Sequence, residues 1–177
     1  MRFGDLMFKL DDRELRNNIL REAFKDQPVK IKAYPRFSVA YSKGVYVVLD
    51  IYRYIYVIKP LTISKCKPKF LDRVYGFRVP LSIFRPPFTY GALLVPKVGG
   101  GRLIEEHNIR GWQVYAFKGT FKLQDPDGNW VEGKCIGFFA FILEWDAIDI
   151  KDAIKKLIEL LDKVDFRWRY SEIYRTH

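Results

Sequence analysis

The chain is poor in cysteine and histidine, with two of each in 177 residues. Cys66 and Cys135 are too few to staple a secreted fold of this length, so a reducing compartment is expected. They also lie outside any Cys-x-x-Cys spacing, which removes the usual zinc and redox motifs. Nucleophilic catalysis would need His107 as its base, and no serine or cysteine context marks a partner for it. Glu105-Glu106-His107 is read as structural rather than as a metal cluster. Long apolar runs are missing too. The longest, Ile136 to Leu143, falls far short of the roughly 20 residues a spanning helix needs, so no membrane partner is expected. The first residues do not read as a leader, because Asp5 follows Arg2 closely and Lys9 interrupts the apolar residues after it. A cytoplasmic location is the resulting expectation.

Acidic residues are scarce in one part of the chain. Residues 29–102 hold 14 Lys and Arg against Asp50 and Asp72 alone, within a whole that carries a net charge of +10. The remainder is slightly acidic. Such segregation attracts polyanions. The bland alternative is that the cations solubilise a strand-rich surface and guard its edges. Only three Gln and four Asn occur beside many Lys, Arg and Ile, a composition of the hyperthermophilic kind that points to an archaeal or viral source.

The length suits one domain over residues 1–177, with roughly 70% of the unfolded surface buried. Asp11 and Glu14 have capping-box spacing, and Leu15, Ile19, Leu20, Ala23 and Phe24 form a helical stripe over residues 12–25, with Arg13, Arg16, Arg21 and Lys25 mostly off it. Val29 to Lys59 reads as two strands around a three-residue loop, Ser42-Lys43-Gly44. That register sets Tyr41 against Val45, Val39 against Val47 and Phe37 against Leu49. It leaves a second flank on which Arg36 faces Asp50, Tyr34 faces Tyr52, Lys32 faces Tyr54 and Lys30 faces Tyr56. From Pro60 to Arg102, frequent proline predicts short strands, edges and loops. Gly99-Gly100-Gly101-Arg102 lacks the Gly-Lys-Ser/Thr ending of a phosphate loop. A second hairpin turns at Asp125-Pro126-Asp127-Gly128-Asn129. Its arms are Trp112 to Leu123 and Trp130 to Leu143, buried on both sides from Ile136. Asp149 is expected to cap a last helix with a stripe from Ile150 to Val164, and Phe166 to Tyr170 to form a short terminal strand. The expected class is α+β: mainly antiparallel β-sheet built from hairpins, with one amphipathic helix near each terminus.

The polar flank of the first hairpin carries the functional expectation. Bases stack on aromatic rings while neighbouring cations neutralise phosphate, which is the chemistry of binding single strands with little sequence specificity. Lys30, Lys32, Arg36, Lys65, Lys67 and Lys69 are expected to meet phosphates, and Tyr34, Tyr52, Tyr54 and Tyr56 to stack bases. No helix-turn-helix, zinc finger or basic zipper points to duplex readout. The partner expected is therefore single-stranded DNA or RNA, with no catalytic residue, cofactor or metal ligand assigned. A β-rich viral coat or assembly protein is the alternative, and would make the chain a homo-oligomer located in a virion.

Two local patterns point elsewhere. Lys134-Cys-Ile-Gly-Phe-Phe-Ala-Phe141 is similar, at Lys134, Gly137, Phe138 and Phe141, to the octapeptide of the RNA-recognition motif, whose aromatics stack bases. Cys135 stands where that family has Gly, Ile136 where it has an aromatic, and residues 99–111 leave little room for its first helix. The run is read as a buried aromatic strand. Pro126-Asp127 with Glu132-Gly-Lys134 has the letters of a metal-dependent nuclease, in which two carboxylates hold Mg²⁺. Hairpin-turn chemistry accounts for Pro126 and Asp127 without it, which leaves a nuclease as the third reading.

Overall fold

The computed structural model describes residues 11–51, 54–75, 77–78, 113–141 and 147–162. The first helix, α1 (Arg13–Ala23), is capped by Asp12 rather than by Asp11. The Asp12 carboxylate accepts from the Glu14 and Leu15 amides at 2.9 and 3.4 Å, and its backbone is extended, as a cap requires. Four short strands follow: β1 (Lys30–Ala33), β2 (Phe37–Ser42), β3 (Val45–Asp50) and β4 (Tyr54–Pro60). Each pairs antiparallel with the next, so the two long arms expected over Val29 to Lys59 are in fact a four-stranded meander.

The register of the first turn differs from the expected one by a residue. Ser42 faces Val45, Tyr41 faces Tyr46 and Val39 faces Val48, closing a two-residue loop of Lys43 and Gly44. Both have positive φ, 49° and 81°, the combination that matches the twist of a tight hairpin. The expectation failed because it assumed one dry face and one wet face. In this sheet both faces are dry. Val47, Leu49, Ala40, Ile55, Val57 and Phe138 pack on one side with Ile19 and Leu20 of α1 and with Ile154 and Leu157 of the last helix, α3 (Ala147–Leu160). Phe37, Val39, Tyr46, Val48, Tyr56 and Ile58 pack on the other with Phe117, Phe121, Leu123 and Phe139. Continuous apolar strands are what burial on both faces demands.

The second core exists because the sheet curls over itself. After β5 (Ser64–Lys65), a short helix α2 (Phe70–Tyr75) and β6 (Phe77–Arg78), the long hairpin β7 (Gln113–Gln124) and β8 (Trp130–Phe141) supplies the rest of one eight-stranded sheet. Its order is β1-β2-β3-β4-β8-β7-β6, with β5 also on β8. The turn at its tip is the one expected. Asp125 Oδ1 accepts from the Asp127 and Asn129 amides at 2.9 Å each, and Gly128 has φ 89°. The tip reaches back to β1, although three strands stand between β1 and β8 in the sheet order.

A bulge-like step separates β4 from β5 along β8. Between β4 and β5 the amides of Leu61 and Thr62 both donate to the Lys134 carbonyl of β8, at 2.7 and 3.2 Å, so two residues of the connection oppose one of β8. Gly133 sits under this bulge. A Cβ there would lie 2.0 Å from the Thr62 carbonyl oxygen, and one at Gly137 would lie 2.1 Å from that of Val57. The Lys134 to Phe141 run is accordingly an interior strand, with Cys135, Phe138 and Phe139 all buried. Helix α3 begins at Ala147, so Asp149 lies inside its first turn rather than at its cap. The six-residue α2 within the proline-rich stretch was not foreseen. Tyr52, Gly99 to Arg102, Glu105 to His107 and Phe166 to Tyr170 lie outside the described residues. No helix among the described residues is long and apolar enough to cross a membrane.

Candidate nucleic-acid interface

Paired residues on neighbouring strands point to the same side of a sheet. Lys30 and Lys32 pair with Tyr41 and Val39, which share a side with Tyr46 and Val48 and with Tyr56 beyond them. Lys30, Lys32 and Tyr56 share one face, as expected, but Val39 and Tyr41, expected on the opposite apolar flank, share it with them, and the face is largely an interior. Tyr56 is 7% exposed and its ring lies 6.2 Å from that of Phe139. Burial, with the charge of Asp50 second, drives its phenol far above the ordinary value, so the hydroxyl stays protonated at any physiological pH. Tyr54 is half-buried, 6.1 Å from Tyr56. Tyr34 is half-buried against Phe37 at 5.0 Å, and its hydroxyl donates to the Asp125 carbonyl at 2.5 Å. The curled hairpin covers what a two-stranded ribbon would have left open. Tyr56 therefore cannot offer a ring to a base, which corrects the stacking role expected of it.

The cations are placed differently. Lys30, Lys32, Arg36, Lys65, Lys67 and Lys69 are all exposed. Lys30 makes a water-accessible ion pair with Asp127 at 3.3 Å, of the kind that contributes little to stability. The same contact engages the carboxylate that a Mg²⁺ site would have used. Among the described residues no three His, Cys, Asp or Glu side chains converge as metal ligands.

Both acids of the basic stretch are interior. Asp50 is 1% exposed and accepts from the Tyr54 amide at 2.9 Å. Asp72 is 1% exposed, and its Oδ2 lies 2.9 Å from Lys122 Nζ. A cation from outside residues 29–102 lies close to each. Asp72 has Lys122 of β7. Near Asp50 lies Arg16, fully buried on α1, which donates through Nε to Ser38 Oγ at 3.0 Å and through an Nη to the Tyr34 carbonyl at 2.6 Å. Desolvation by the surrounding core lowers the Arg16 pKa from its ordinary value, while Asp50 and the two acids at the cap oppose that shift. Sequence reasoning placed Arg16 off the stripe and missed this role. Its only sequence signal is its spacing of three from Ile19, which puts the two on neighbouring turns of one face.

Burial disfavours the thiolate of both cysteines. Burial pushes the Cys135 pKa up to about 12, and burial raises that of Cys66 as well, with Glu132 adding to the effect. No protein-family model matches the chain, and no curated protein or solved structure matches it either.

Proposed function

We propose that this chain binds nucleic acid, favouring single-stranded DNA or RNA with little sequence specificity, through phosphate contacts from Lys30, Lys32, Arg36, Lys65, Lys67 and Lys69. One observation carries the reading. Asp50 and Asp72, the two acids of residues 29–102, are both withdrawn from water, so the described surface of that stretch presents positive charge alone. Acids from other parts of the chain reach it at Lys30 and Lys59, but the stretch adds no exposed acid of its own, and such a predominance of one sign builds a field that draws in polyanions.

The test is a fluorescence titration with labelled single and double strands across a salt series. Phosphate binding makes the logarithm of affinity fall linearly with the logarithm of salt, at close to one unit of slope per contact. Replacing Lys65, Lys67 and Lys69 by Gln should flatten that slope by roughly two to three units. Binding that ignores salt overturns the proposal. So does an oligomer that forms without nucleic acid while no strand binds, since that is the behaviour of an assembly protein.

A further inference from the structure

With Tyr56 enclosed, the ring best placed to meet a base lies elsewhere. Phe70, the first residue of α2, is 78% exposed, the most of any large apolar side chain among the described residues. We infer that Phe70 is a stacking platform for an unpaired nucleobase, flanked by phosphate contacts from Lys67, Lys69 and Arg73. This rests on the nucleic-acid reading and names the group that would make the site prefer a single strand.

The exposure of Phe70 does not come from a loose segment, because Lys122 of β7 ties down both α2 and the residues just before it. The Asp72 carboxylate accepts from the Lys69 amide at 2.9 Å and pairs with Lys122 at 2.9 Å, and Lys122 donates in turn to the Lys67 carbonyl at 2.9 Å. The Arg73 amide closes the helical turn on the Lys69 carbonyl at 3.1 Å. Asp72 therefore anchors the turn inward, and Phe70 is left facing water on a fixed backbone. Arg73 follows Phe70 by three positions, which makes the two neighbours on the helix surface. Lys67, Lys69 and Arg73 are all exposed, and the one acid of the segment is buried and neutralised. A flat apolar ring on an anchored turn, with Lys67, Lys69 and Arg73 within three positions of it in the chain, complements a ligand that alternates π-faces with anions. In a duplex those π-faces are stacked on each other and out of reach.

The experiment compares wild type, Phe70→Ala, Phe70→Tyr and the Lys67→Gln/Lys69→Gln pair, using a labelled oligothymidine strand, a labelled duplex and phosphatidylserine vesicles. Phe70→Ala should weaken the single strand about ten-fold, while Phe70→Tyr stays close to wild type. The salt slope and the duplex affinity should not move in Phe70→Ala. The lysine pair should do the reverse, flattening the slope for both strands. If wild type binds the strand and Phe70→Ala binds it equally well, or loses single strand and duplex alike, the platform is wrong while the phosphate reading stands. Phe70-dependent binding to vesicles but not to strands would make the ring a lipid contact and overturn the inference. If wild type binds neither nucleic acid, the function proposed above fails with it.

Discussion

The hydroxyl of Tyr34 and the backbone carbonyl of Asp125, 91 positions apart in sequence, meet at 2.5 Å and fasten the tip of the long hairpin to the turn that follows the first strand. Beside them Lys30 reaches Asp127. These contacts close the curl that encloses the second core. Tyr34→Phe should therefore lower stability by about 1 kcal/mol, read as a shifted urea midpoint with unchanged slope. Lys30→Gln should cost far less, because its ion pair is exposed.

The phenols set a limit at high pH. Burial, assisted by Asp125, raises Tyr34 and Tyr46 from about 10 to about 12. An acid harder to ionise in the folded state contributes fully to stability below its unfolded pKa, and that contribution is lost as pH rises through the folded value. Lys122, raised chiefly by its hydrogen bond to Asp72, acts in the same direction. Cys135, held up to about 12 from an ordinary value near 9, begins the loss earlier, so stability should hold to about pH 9 and fall most steeply between about 10 and 12. Phenolate absorbance should show some tyrosines ionising only as the chain unfolds.

The close approach at the bulge gives a sharper test. Gly133→Ala drives a methyl into the Thr62 backbone, which cannot yield as a flexible side chain could. It should cost at least about 3 kcal/mol. Gly128→Ala meets nothing within 4 Å and suffers only from its positive φ, at a cost of about 1–2 kcal/mol.

The pair that anchors α2 behaves as a unit. Asp72→Ala leaves the ammonium of Lys122, whose side chain is only 11% exposed, without its carboxylate, and should cost about 3 kcal/mol. The double variant Asp72→Ala/Lys122→Met should recover much of that loss. A double-mutant cycle that shows no coupling between the two positions would contradict the arrangement.

The sequence was legible where local chemistry decides. The turn from Asp125 to Asn129, the helix from Arg13 and the arms of the second hairpin all follow from caps, turn residues and periodicity. It was illegible where a distant element decides. Nothing near Tyr56 says that a hairpin some 60 residues later will lie over it, and tyrosines on a Lys-bearing strand read equally as surface. Arg16 was misjudged for the same reason, since its partners Ser38 and Tyr34 come from strands folded against α1. The exposed phosphate candidates were readable because long cations seldom bury. Phe70 was not among the expected stacking residues, since nothing local sets it apart from the other aromatics interleaved with cations between Pro60 and Arg102.

A sheet that is dry on both sides gives up the usual safeguard against strand slippage, since a one-residue shift would trade apolar groups for other apolar groups. In β2 and β3 that safeguard passes to a few polar pins. Lys43-Gly44 permits only the two-residue loop, Ser38 must meet Arg16, and Asp50 must meet the amide of Tyr54. Alignment in this protein is thus proofread by its rarest interior atoms, the polar ones.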